Sequence, residues 1–137
     1  MLTYTLCKYF VERSNHMIKI LTPDFVFEDE RGTLVQLVHE GYNQINVVTS
    51  KAGVIRGNHC HRLNREGFYV VEGSFTVNVH KGSKKASHTF KKGDMFLIEP
   101  EVMHSFIYLE DTTLIGFYDK GVELPDGTKD IIPEDNG

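Results

Sequence analysis

The chain has 137 residues, enough for one domain with its own core and too few for two. Hydrophobic residues make up 40 % and charged residues 25 %, the mix of an ordinary globular protein, while a formal net charge of −4 speaks against a nucleic-acid surface, which needs a basic face to displace counterions. No run approaches the length of a membrane span. Two cysteines, Cys7 and Cys60, make no disulfide framework, and the opening residues lack the continuous apolar segment of a leader, so a reducing cytoplasm is the expected compartment.

Long helical periodicity is missing from the chain, and short β-branched and aromatic stretches recur between turn residues instead. Residues 1–24 read as an N-terminal extension, an extra or swapped strand being one reading of it. Within it, 1–16 are either an upstream stretch of coding frame or an extra strand exchanged with a neighbouring chain. Strands are then predicted at Thr33–His39, Gln44–Thr49, Gly53–Ile55, Phe68–Val71, Phe75–His80, His88–Phe90, Met95–Ile98, Ser105–Leu109 and Thr113–Tyr118. Between them lie Glu40-Gly41, Glu72-Gly73-Ser74, Lys81-Gly82-Ser83, Lys92-Gly93-Asp94 and Glu110-Asp111, all turn chemistry. From Phe75 to His80 the odd positions are apolar and the even ones polar, so one face packs inward. The basic cluster Lys81–Lys85, with Lys91 and Lys92, reads as a solvated hairpin tip. Many short strands at this spacing predict an antiparallel sandwich or barrel over 25–120. The tail, 121–137, is rich in Pro, Gly and acid from Leu124 onward and reads as a surface strap or loose end.

The stretch that carries chemistry runs from Gly53 to Gly73. On a strand, side chains two apart share a face, so His59 and His61 point one way and Cys60 the other, as a small core residue. Arg62-Leu63-Asn64-Arg65 suits a turn, and Glu66 at the start of the next strand can reach back to the two imidazoles. His104 follows an apolar strand and joins the set if that strand crosses the same wall. Three imidazoles and one carboxylate suit a divalent transition ion, zinc first, with iron, manganese and nickel as further candidates. The same groups could do general acid–base work without metal. His16, His39, His80 and His88 fall outside this spacing and read as surface or strand-edge residues. Arg56 falls on the opposite face to His59 under strict alternation, and on the same face if Gly57 hosts a β-bulge. Among Tyr69, Tyr108 and Tyr118, Tyr108 shares parity with His104 and is the expected catalytic tyrosine beside His59 and His61.

Gly53-x5-His59-x-His61-x4-Glu66-x6-Gly73 resembles the first motif of the cupin superfamily, and Gly93-Asp94 through His104 is similar to the second. Glu99 and Glu101 stand where that family more often has proline and glycine, so the turn before His104 is expected to differ in shape. The resemblance implies an all-β, double-stranded β-helix whose metal ligands are His59, His61, Glu66 and His104. More narrowly, Phe27–Leu34 followed by Arg56-Gly57-Asn58-His59-Cys60-His61 resembles the cupins of nucleotide-sugar metabolism: 3,4-ketoisomerases, 3,5-epimerases and the C-terminal cupin of capsular-polysaccharide reductases. From these follow the expectations of an isomerase or epimerase acting on a nucleotide-activated keto sugar in polysaccharide biosynthesis, with Arg56 near the diphosphate. A metal-dependent dioxygenase and a non-catalytic sugar-binding module are the alternatives. A homodimer is expected, because a small barrel covers its edge strand with a partner's. Neither nucleic acid nor membrane is an expected partner.

Overall fold

The computed structural model describes residues 17–134; the expectations for 1–16, including Cys7 and His16, lie outside them. The described chain is all strand: β1 (Ile18–Leu21), β2 (Phe25–Asp29), β3 (Gly32–Gln36), β4 (Gln44–Ser50), β5 (Ile55–Cys60), β6 (Glu66–Glu72), β7 (Ser74–Lys81), β8 (Lys84–Lys91), β9 (Met95–Ile98), β10 (Met103–Tyr108), β11 (Thr112–Tyr118) and β12 (Ile132–Pro133). Two five-stranded antiparallel sheets, ordered β1-β9-β6-β11-β4 and β12-β5-β10-β7-β8, face each other, and β2-β3 forms a separate hairpin. This is the double-stranded β-helix read from the sequence. Among the described residues no helix is long and apolar enough to cross a membrane.

Period-two patterning builds the core. Phe75, Val77 and Val79 of β7 face inward and are buried, while Asn78 between them is exposed. Across the two sheets, Phe68 of β6 meets Phe106 of β10 with ring centroids 4.9 Å apart, and Phe75 stacks on Phe106 at 5.1 Å. Phe96 of β9 lies over Phe90 at 3.9 Å. Each such ring, fully buried, stabilises the fold by about 1.5–3 kcal/mol. The lysine-rich hairpin tip between β7 and β8 is exposed, as its composition implies.

Two strands, β2 and β12, escaped the sequence reading, and β1 falls in the N-terminal segment read as a possible extra strand. β1, Ile-Lys-Ile-Leu, is only four residues long and pairs with β9. β2 pairs with β3 alone and leaves Phe25, Val26, Phe27 and Leu34 exposed. β12 lies in the tail and pairs with β5 at Cys60 and His59. The tail therefore runs as a strap along the sheet edge, and its own Asp130 is buried.

Candidate metal centre

His59 stands near the end of β5, His61 just beyond it, Glu66 opens β6 and His104 is the second residue of β10. The strands come from both sheets, so the four meet between them. One ligand atom from each lies within 4.8 Å of every other. His59 is half-buried and the other three are buried. Glu66 Oε1 sits 3.2 Å from His61 Nε2 and 3.5 Å from His104 Nε2. Cys60 is buried outside this group.

The tautomers are set by the backbone. His61 Nδ1 donates to the Asp130 carbonyl at 2.7 Å, and His104 Nδ1 donates to the Val102 carbonyl at 3.0 Å. His59 is hydrogen-bonded to the Gly57 backbone. A carbonyl oxygen can only accept, so in His61 and His104 the proton stays on Nδ1 and a neutral ring turns an Nε2 lone pair toward the Glu66 oxygen. Lone pairs facing a carboxylate repel unless positive charge lies between them. That charge is either a proton on the ring or a metal ion, and nitrogen donors with one charge-compensating oxygen fit a divalent transition ion.

Without an ion, the groups divide. Burial, then the neighbouring His104 and His61, push His59 down to about 4. Burial works against charge on His61 too, but the hydrogen bond and the charge of Glu66 outweigh it and raise its pKa. Glu66 is buried, which favours its neutral form, yet its bonds to His104 and His61 hold it down to about 2.

Local backbone devices place these side chains. In the β10–β5 ladder His104 pairs with His59 and Ser105 with Gly57, leaving Asn58 as a bulge with φ 62° and Gly57 at φ 99°. A Cβ on Gly57 would lie 2.8 Å from the His104 carbonyl oxygen, so only glycine lets the strands approach here. Because of the bulge, Arg56 pairs with Phe106 and shares the inward face with His59. The turn before His104 keeps a left-handed residue even though no glycine is present: Glu101 has φ 68° and its N–H donates to the His61 carbonyl at 2.7 Å.

Arg56 and Tyr108 are not brought to the imidazoles. Arg56 Nε donates to Ser50 Oγ at 2.7 Å, and the Tyr108 hydroxyl is bonded to the same Ser50. Arg56 and Ser50 line a cavity of about 390 Å³ together with Lys51, Glu72 and Asp111. Tyr108, the expected catalytic tyrosine, stands beyond Phe106 from His104 on β10. Tyr118 is the tyrosine that reaches the four converging residues. It pairs with Glu66 across β11 and β6, its hydroxyl is bonded to Glu66, and its ring meets His61 edge-on at 5.1 Å. Burial and the Glu66 charge push the Tyr118 hydroxyl far up, so it stays protonated. Asp130 is a second contributor that sequence reasoning missed, since it belongs to no spaced motif.

The sequence profile of the polysaccharide biosynthesis C-terminal domain family matches residues 27–116, which include all four converging residues. The chain belongs to that family. Tyr118 and Asp130 lie beyond the matched segment. Among solved structures, a 3,4-ketoisomerase from Helicobacter canadensis is similar at 18 % identity, with 87 % of this chain and 92 % of that one covered and a TM-score of 0.72. A dTDP-4-dehydrorhamnose 3,5-epimerase from Sulfolobus tokodaii is similar at 22 % identity, covering 82 % and 76 %, with a TM-score of 0.69. The capsular polysaccharide assembling protein CapF from Staphylococcus aureus is similar at 21 % identity over 81 % of this chain but 32 % of its own, with a TM-score of 0.61. At these identities the likeness is one of fold. No curated protein matches the chain in sequence.

Proposed function

We propose that this member of the family is an isomerase or epimerase of nucleotide-activated keto sugars in polysaccharide biosynthesis, working with a divalent ion, zinc first, held by His59, His61, Glu66 and His104. The family's name and the named activities of the similar structures support the substrate class. The observation that carries the metal reading is the pair of imidazole Nε2 atoms turned on one buried carboxylate oxygen with both Nδ1 atoms committed to carbonyls.

Isomerisation or epimerisation beside a ketone begins when a base takes the neighbouring C–H proton and the electron pair moves onto the carbonyl oxygen. The ion would supply Lewis-acid stabilisation of that developing negative charge. In a metal-free version His59 is the base that takes the proton, and the chain's other residues balance charge and orient the sugar. Glu66, ionised across the working pH range, balances the positive centre. Tyr118, held protonated, donates its one hydroxyl hydrogen to Glu66 and steadies that carboxylate. His59, the least buried ligand, marks the side from which a sugar approaches. Arg56, turned inward by the bulge, supplies the cation for a diphosphate.

The metal-free version of the same chemistry has its own support, since burial disfavours charge on His59 while the hydrogen bond and charge of Glu66 favour it on His61, a base and an acid within one cluster. Elemental analysis of protein purified without chelator separates the two: about one equivalent of zinc per chain is expected. For the activity, a TDP-4-keto-6-deoxy sugar incubated with the protein in D2O is expected to gain deuterium at a carbon beside the ketone, read by NMR. No wash-in with either metal-loaded or metal-free protein ends the proposal.

The same reading includes a homodimer. The β2-β3 hairpin exposes apolar side chains, and edge strand β4 exposes Ile45 and Val47. Light scattering should give twice the chain mass.

A further inference from the structure

Resting on the metal-centre reading above, we propose that Asp130 in the C-terminal strap is a positioning residue for the centre, holding both His61 and the loop that joins it to Glu66. Its main-chain oxygen accepts the His61 Nδ1 proton at 2.7 Å. Its carboxylate accepts from the N–H groups of Arg62 at 2.8 Å, Leu63 at 2.9 Å and Asn64 at 3.1 Å, and from Asn64 Nδ2 at 2.8 Å. One residue, 69 positions away in sequence, therefore fixes a ligand ring and the segment directly behind it.

The arrangement is locked from the other side as well. Asp130 N–H donates to the Val122 carbonyl at 2.8 Å, and Asn64 Oδ1 accepts from the N–H groups of Lys120 at 3.1 Å and Gly121 at 2.9 Å. Asp130 is 5 % exposed, so its charge is removed from water and compensated by these donors. Four donors on the carboxylate and the Val122 bond on the main-chain N–H hold Asp130 from two sides, and the carbonyl aimed at His61 belongs to the same residue. A ligand histidine whose second nitrogen is held this way presents the other nitrogen in one direction with one tautomer. Glu66 follows two residues after Asn64, so the same clamp sets where β6 begins.

Asp130→Asn keeps the shape of the side chain but puts an amide donor against the donors around it. The expected result is a zinc affinity lowered about ten- to a hundredfold, measured by competition with a chromophoric chelator. In the zinc-free proteins, 15N NMR of the imidazoles should show a slowly exchanging His61 Nδ1–H in the wild type and a mixed tautomer in the variant. A folded variant with a lower melting temperature but unchanged zinc affinity and unchanged His61 signal overturns the proposal, leaving Asp130 a loop staple. Should Asp130→Asn not fold, Asn64→Ala removes one donor from the carboxylate. It should weaken zinc a few-fold and speed exchange of the His61 proton, and no change in either is equally fatal. If the wild type takes up no zinc, the metal reading fails, while the tautomer comparison still decides the role of Asp130.

Discussion

Along β10 the inward side chains run His104, Phe106, Tyr108, and along β6 they run Glu66, Phe68, Val70. Each strand thus serves a polar centre at one end and an aromatic core further on. In the core, rings fill space and any apolar shape of similar volume would do, within limits of packing. At the centre, every polar atom needs a partner of the right sign, because burial makes an unpaired charge expensive. Contact with the core closes off one side of the centre, since Phe106 packs 6.1 Å from the His104 ring. The core keeps its shape by density, whereas the centre keeps its shape by hydrogen bonds that reach back to backbone carbonyls.

Glu66→Ala breaks this contrast most severely, by leaving buried imidazoles without their anion. The variant should lose its zinc by elemental analysis and about 3–5 kcal/mol of stability in urea denaturation. Full retention of zinc would mean that the imidazoles suffice. Phe96→Ala, in the core, should cost a similar about 3–5 kcal/mol through the cavity it leaves, yet keep the metal content of the wild type. Zinc loss there would erase the distinction between the two regions. Gly57→Ala tests the joint between them. Its Cβ would press on the His104 carbonyl oxygen and it would strain the backbone at φ 99°, so about 1–3 kcal/mol and part of the zinc affinity should go together.

Acidity probes the centre alone. In chelator-treated protein, His59 titrates at about 4 when folded against 6.5 when unfolded, so stability falls as the pH drops from 6.5 toward 4. Glu66, at about 2 folded against 4.5 unfolded, extends the loss from pH 4.5 downward. His61 has the opposite sign: its raised pKa gives stability that is full below 6.5 and declines as the pH rises above it. A stability maximum near pH 6.5 is expected in melting scans, and His59→Gln should flatten its acid side. The smallest effect is at the turn before His104. Glu101→Gly should relieve left-handed strain and raise stability by up to about 1 kcal/mol, visible as a modest increase in melting temperature.

The differences between reading and structure have physical causes. Parity assigned Tyr108 to the same face as His104, and that is true, but parity says nothing of height along the barrel. Four residues on a strand span roughly 13 Å, which carries Tyr108 past Phe106 to Ser50. Tyr118 was a candidate as well, and what elevates it is its cross-strand pairing with Glu66, a contact between distant segments. β12 is too short to announce itself and β1 too short to be bounded from pattern, and both exist because an edge of β5 and an edge of β9 offered them partners.

The amino-acid sequence by itself determined the alternation of strands, the shared face of His59 and His61, and the return of Glu66 toward them, because these depend on a period of two and a short turn. The family's motifs added His104. Only the tertiary structure decided that Arg56 turns inward, that Glu101 bends the turn without glycine, and that Tyr118 and Asp130 complete the centre. Those outcomes rest on register and on hydrogen bonds between residues far apart in the chain, which local periodicity does not encode.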